Sequence, residues 1–256
     1  MRISTCFGFV VLCSFGVIGA TCQAQSQPNS VALRPASPAP TQAGSKSTFL
    51  LFSRGDSAKT QRVAAELGTA LATRSDRAQW QLIDVTAPVH QELVNRYQLS
   101  RAPMPLVLCI APNGTVTGAM PGRVTEKAVE ASLVTPTMTR CMKWLQAGKI
   151  VVVHIKASAT DTLPAGAAGL LADPAFQNRT VMESFVVSDP AEDRFLRDME
   201  INPADASGSA LVVLAPPGML VGKFPSTATA AEIASQLHAA GKCCNDPNCK
   251  HNKKGQ

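Results

Sequence analysis

The chain has 256 residues, a formal net charge of +6 and 45% hydrophobic residues, enough apolar content for two cores of ordinary domain size. Charged residues make up only 16%, against roughly 25% in an ordinary soluble domain, which excludes a disordered polyelectrolyte or a charged nucleic-acid tail as the main body. Its 18 prolines and 17 glycines fall short of a fibrous or low-complexity chain.

Residues 1–24 read as an export signal. Met1-Arg2 gives a short positive start, an apolar run from Ile3 to Ala20 follows, and Cys22-Gln23-Ala24 offers a small-x-small cleavage site. Ser4, Thr5 and Ser14 interrupt the run, which is marginal against the ~20 apolar residues of a transmembrane helix. The expectation is therefore a periplasmic or secreted protein with no stable transmembrane span after cleavage. A retained signal anchor and a lipid on Cys22 are the other outcomes, although Gly19-Ala20-Thr21 makes a poor lipobox. Cleavage removes Arg2 and no acid. Much of the remaining positive excess sits at the C-terminus, where Lys242, Lys250, Lys253 and Lys254 oppose only Asp246. That distribution suggests weak attraction to anionic surfaces. With two Trp and one Tyr there is little to stack on bases, so no nucleic-acid partner is expected.

Residues 25–46 are rich in Pro, Ser, Ala and Gln, bury too little apolar surface to order, and read as a flexible linker. Beyond them the chain repeats itself. Leu106–Leu133 slides onto Ala210–Leu237, so that Ala111, Pro112, Gly114, Gly118, Pro121, Thr125 and Leu133 meet Ala215, Pro216, Gly218, Gly222, Pro225, Thr229 and Leu237. Each copy reads as a buried strand, a Pro-x-Gly turn, a second strand and a helix.

The upstream halves match more loosely. In the first copy Thr48–Ser53 is an apolar strand, and Ala58–Thr73 is an amphipathic helix carrying Val63, Leu67 and Leu71 on one face. Trp80–Asp84 is a second strand and Val89–Leu99 a helix. In the second copy Ile150–Ile155 is a strand, Ala165–Leu171 a glycine-interrupted helix, Val181–Val187 a strand and Ala191–Met199 a helix. Both copies are β-α-β-α-β-β-α. Between them, Cys141–Ala147 reads as the end of a helix packed beneath the second domain. Gly148 is its stop, and Trp144 is placed in the interdomain core.

This order, together with three features of the first copy, resembles the thioredoxin-like superfamily. The features are TFLLFSRGDSAKTQRVAAEL; a strand ending in Asp84 and a helix ending at Tyr97-Gln98-Leu99; and Arg101-Ala102-Pro103-Met104-Pro105 leading into a buried strand. The resemblance implies an α/β fold of two tandem thioredoxin-like domains, each a central mixed sheet flanked by helices, at 47–148 and 149–240. It also implies a cis bond between Met104 and Pro105, with Ser209 at the corresponding place in the second copy.

The family's redox chemistry needs a Cys-x-x-Cys pair at the start of the first long helix, where the helix end lowers a thiol's pKa. Here that loop reads Arg54-Gly55-Asp56-Ser57-Ala58-Lys59-Thr60, and the second copy offers Ala157-Ser158-Ala159-Thr160. Ser57 and Thr60 fall near the thiol positions, and a hydroxyl forms no disulfide. Ser57 reads as the helix N-cap and Asp84 as a cap or turn residue. No Gly-x-Ser-x-Gly, no Gly-x-x-x-x-Gly-Lys-Ser/Thr and no His-Glu-x-x-His occurs. The chain is therefore expected to be no enzyme. Its expected role is binding a protein or peptide of the cell envelope, with the loop of Met104 and Pro105 as the candidate peptide-binding element.

Cys109 and Cys141 read as packed core residues. The tail, residues 241–256, differs: Cys243, Cys244, Cys249 and His251 lie within nine residues around an Asn-Asp-Pro-Asn turn. Two readings stay open. Cys249 pairs with one of the adjacent cysteines as a disulfide, or the three thiolates and the imidazole hold zinc or copper. The alternative function is accordingly metal binding or thiol redox work through this cluster. No other cofactor is expected, and His90, His154 and His238 read as surface or core histidines.

Overall fold

The computed structural model describes residues 46–202 and 209–242, all within one compact unit. Two four-stranded mixed sheets organise it. In the first, β1 (Ser47–Ser53) pairs in parallel with β2 (Ala78–Asp84) and antiparallel with β3 (Leu106–Ile110), which pairs antiparallel with β4 (Val116–Pro121). The order is β2-β1-β3-β4. Helices α1 (Ala58–Leu71) and α3 (Glu126–Ser132) cover one face, and α2 (Gln91–Arg96) the other. The parity of β1 explains the layers: Phe49 and Leu51 join the α1 side, Leu50 and Phe52 the α2 side. A strand buried on both faces reads as a continuous apolar run, as TFLLF does.

The second sheet repeats the first. β5 (Ile150–Lys156) pairs in parallel with β6 (Thr180–Val186) and antiparallel with β7 (Ala210–Ala215), and β7 pairs with β8 (Met219–Pro225), in the order β6-β5-β7-β8. Helices α5 (Ala165–Ala172) and α7 (Ala230–Lys242) cover one face. Helices α6 (Asp193–Asp198) and α4 (Pro136–Gln146) cover the other. The repeat reaches fine detail. Both hairpins carry a bulge at matching places, between Cys109 and Ile110 and between Val213 and Leu214. Gln98 and Glu200, each just past its short helix, both take a left-handed conformation. The fold is thus two tandem thioredoxin-like α/β domains. Among the described residues no helix is long and apolar enough to cross a membrane.

Several elements depart from the sequence reading. The expected helix over Val89–Leu99 is broken into a 3-10 turn at Pro88–His90, α2, and a second 3-10 turn at Leu99–Arg101, because Gln98 turns left-handed (φ 53°). Its counterpart over Ala191–Met199 is likewise a 3-10 turn, Pro190–Glu192, followed by α6. Helix α5 is real despite its glycines. A Cβ on Gly166 would stand 2.0 Å from the Ala228 carbonyl oxygen, so glycine here permits close approach to the segment entering α7. A second cis bond, Pro216–Pro217, sits in the β7–β8 turn, where nothing in the sequence comparison singled it out. Trp144 belongs to the second domain's core edge rather than the junction: it packs on that cluster and donates from Nε1 to Glu183 (2.9 Å).

Helix α4 joins the halves. Cys141 and Leu145 are buried in the second core, while Asn113 donates to the Thr139 carbonyl (3.2 Å) and Gln146 to that of Val116 (2.7 Å). Gly148, at φ 75°, ends the helix as expected: its amide donates to Leu145 and that of Lys149 to Trp144. Arg194 of α6 reaches into the first domain and donates to the carbonyls of Glu130 and Leu133. The Glu130 carboxylate meets Arg74 (3.0 Å), Arg77 (3.6 Å) and Arg194 (3.7 Å), and Arg74 above all holds its pKa below the usual carboxylate value. Replacing Arg194 with Ala should strip donors from two carbonyls and cost about 1–2 kcal/mol. Calorimetry should then resolve separate unfolding of the two halves where the native chain unfolds in one transition.

Candidate functional site

The loop after β1 meets the loop before β3 through Arg54, whose Nη2 donates to the Ser100 carbonyl. Ser57 caps α1: its Oγ accepts from the Thr60 amide (3.1 Å) and lies 3.0 Å from Thr60 Oγ1, which donates to the Gly55 carbonyl (3.4 Å). Ser57 and Thr60 are thus the N-cap and N3 residues, and both hydroxyls are engaged in ending the helix. Neither bonds a histidine or a carboxylate among the described residues. Asp56 accepts from Gln61 Nε2 (3.1 Å).

Opposite this cap, the Met104–Pro105 bond is cis. Pro105 is buried and its carbonyl accepts from the Gly122 amide (2.8 Å). Ser209 sits at the matching place, its carbonyl accepting from Ser226 (3.0 Å). Met104 is half-buried against the α2-side core, and its own N–H and C=O take no partner among the described residues. The loop has a cationic rim. Arg54 Nη2 donates to the Ser100 carbonyl (3.1 Å), and the end of the Lys59 side chain lies against Gly122. Sequence reasoning named Met104 and Pro105 but not Arg54 or Lys59, because isolated cations in a loop carry no pattern.

Asp84 is a turn residue. It accepts from the amide and hydroxyl of Thr86, and these bonds hold its carboxyl below the usual carboxylate value. His90 Nδ1 donates to the Asp84 carbonyl (2.9 Å). The two described cysteines are poor nucleophiles. Burial raises the Cys109 thiol to about 11 and the Cys141 thiol to about 12. No group of three or more potential metal ligands comes together among the described residues. Cys243, Cys244, Cys249 and His251 lie outside the described residues.

The second domain has one feature the first lacks. His154, on β5, is 2% exposed, and its Nε2 has no hydrogen-bond partner. By strand register it takes the place that Leu51 holds in the first sheet. Desolvation foremost, and Lys156 next, push its pKa below the ordinary 6.5, with Asp161 opposing.

No protein-family model matches the sequence, and no curated protein is detectably similar to it. Solved structures do align. The zinc-bound form of human ERp44 matches with 11% identity and a TM-score of 0.32, over 76% of this chain and 56% of that one. An N-terminal domain of alkylhydroperoxide reductase AhpF from Enterococcus faecalis gives 17% and 0.30 over 75% and 90%. The first two thioredoxin domains of Naumovozyma dairenensis Eps1p give 10% and 0.27 over 80% and 97%. The chain spans little more than half of ERp44, and the fold assignment stands on the topology described above.

Two outcomes follow from this geometry. Ser57→Ala should lower stability by about 1 kcal/mol, the usual worth of an N-cap, and Ser57→Asn should restore most of it in urea titrations. The His154 imidazole binds its proton more weakly folded than unfolded. The stability it supports is therefore complete above about 6.5 and lost as pH falls through the depressed folded value. His154→Leu should flatten that stretch of the stability curve. The difference between the two proteins isolates this group from the depressed carboxylates of Asp84, Glu130 and Asp161.

Proposed function

We propose that the protein is an exported, non-catalytic binding protein of the cell envelope, periplasmic or secreted, that receives an extended protein or peptide segment at the loop of Met104 and Pro105. The observation that carries this reading is the unpaired backbone of Met104, a donor and an acceptor beside the cap of α1. An extended peptide pairs with such groups through its own main chain and takes specificity from adjacent side chains. Arg54 and Lys59 flank the loop, so a segment with an acidic residue suits it. The absence of catalysis is supported by Ser57 and Thr60, which stand at helix-cap positions with both hydroxyls committed to the cap.

The Cys243, Cys244, Cys249 and His251 cluster favours a second reading, in which zinc or copper binding or thiol redox work resides in the tail. One experiment separates the two. A photo-crosslinking residue in place of Met104, in the protein expressed in its native envelope, should form a discrete protein adduct that the same residue at exposed Gln177 does not. Deleting residues 242–256 should leave the adduct unchanged while removing any metal uptake or thiol reactivity. Absence of a Met104-specific adduct, or its loss with the tail, overturns the loop as the binding element.

A further inference from the structure

The free edge of the first sheet is built unlike that of the second. Strand β2 is terminal in its sheet, and Gln79, Trp80, Gln81 and Leu82 are all exposed, Trp80 at 40% and Leu82 at 49%. Exposure on both faces means that neither α1 nor α2 overhangs this edge. From Ala78 to Ile83 the strand bears no charge. An uncharged, uncovered edge strand with large apolar side chains is a template for pairing with another chain. The matching strand β6 lacks this character. Glu183 projects from its middle, Arg140 (2.7 Å) and Trp144 (2.9 Å) of α4 bond to that carboxylate, and Met182 packs on the core.

The hydrogen-bonding parity of β2 sets how a partner strand would pair. The Arg77 carbonyl accepts from Ser47 and the Val85 amide donates to Ser53, so odd-numbered residues turn their polar groups towards β1. The even residues Ala78, Trp80 and Leu82 present N–H and C=O to the open edge, and these groups have no partner among the described residues. An antiparallel two-fold about Gln81 brings together two such edges. Trp80 then stands opposite Leu82 of a second copy, and Leu82 opposite Trp80 of it, as hydrogen-bonded pairs. The two Gln81 residues face each other as a non-bonded pair. By register with Phe49 and Leu51, Trp80 and Leu82 share one face, so both apolar contacts form on the same side of the joined sheet.

We propose that two copies of this chain associate through antiparallel pairing of β2 about Gln81, joining the first sheets into one eight-stranded sheet. The interface is isologous, each copy supplying the same donors, acceptors and apolar pair, as a two-fold requires. The choice of a second copy over another protein rests on that self-match. One register satisfies the free edge groups and seats both exposed apolar residues of each copy on those of the other.

The test uses the full chain with Cys6, Cys13, Cys22, Cys243, Cys244 and Cys249 replaced by serine, which leaves only Cys109 and Cys141, both buried. In that background Gln81→Cys should cross-link to a homodimer under mild oxidation, since facing non-bonded residues lie about 4.5 Å apart at Cα, within disulfide reach. Gln79→Cys, two residues off the axis, should not. Sedimentation equilibrium of the unmodified chain should give a monomer–dimer equilibrium. Leu82→Lys should raise its dissociation constant more than about tenfold with an unchanged melting temperature. A monomer at every soluble concentration overturns the proposal, as does equal cross-linking through Gln79→Cys. So does a monomer whose Trp80 and Leu82 amides resist hydrogen exchange, which would mean that residues 25–45 of the same chain or a different protein occupy the edge.

Discussion

A three-residue span at the start of α6 holds the two halves together. Glu192, 2% exposed, accepts from the Thr137 amide (2.7 Å) in the first turn of α4. Two residues later, Arg194 donates to the Glu130 and Leu133 carbonyls, which end α3. A carboxylate thus meets a helix N-terminus and a guanidinium meets a helix C-terminus, each with the sign the helix dipole favours. A buried carboxylate is costly without a partner, and the amide of α4 supplies one to Oε1, while Oε2 has none among the described residues. Because α3 closes the first domain and α4 begins the core of the second, this charge-matched grip fixes where the repeat turns over.

The grip was not legible in the sequence, although the elements it joins were. The strands could be read because each is a short apolar run between turn residues. Their register of repetition could be read because Pro112-x-Gly114 and Pro216-x-Gly218 recur at the same interval. Helix α1 announced itself through Val63, Leu67 and Leu71, which all proved buried. By contrast, Glu130, Glu192 and Arg194 look like ordinary charges on helix surfaces, since their partners lie more than 50 residues away. The break at Gln98 has no sequence signal for a related reason: a left-handed residue that is not glycine leaves no mark on composition.

The candidate site was half legible. Ser57 read correctly as a cap, because serine before a helix with a free amide three residues on is a local arrangement. Met104 and Pro105 stood out only through their resemblance to a family feature. The open backbone of Met104 is a property of tertiary structure: it depends on what the neighbouring loops leave unpaired, which no local pattern encodes. The Ser57 and Thr60 hydroxyls, three residues apart, close the first turn of α1 between them.

The two sheets share one topology, and their differences follow from what lies beside each. The second domain is preceded by α4, which roofs one face of β6 and draws Glu183 into bonds with Arg140 and Trp144. In the first domain the corresponding residues of β2 are neutral and bare. The inner positions diverge in the opposite sense. Leu51 fills its place with hydrocarbon, while His154 puts an imidazole there with one nitrogen unpaired. The second half thus holds a polar group inside, and the first holds apolar surface outside. A buried group without a partner and an exposed edge without a cover both cost a monomer something. Such costs persist most readily where the exposed surface is put to use. The first domain thus leaves its β2 edge and the main chain of Met104 open, while in the second α4 covers the matching strand and bonds Glu183.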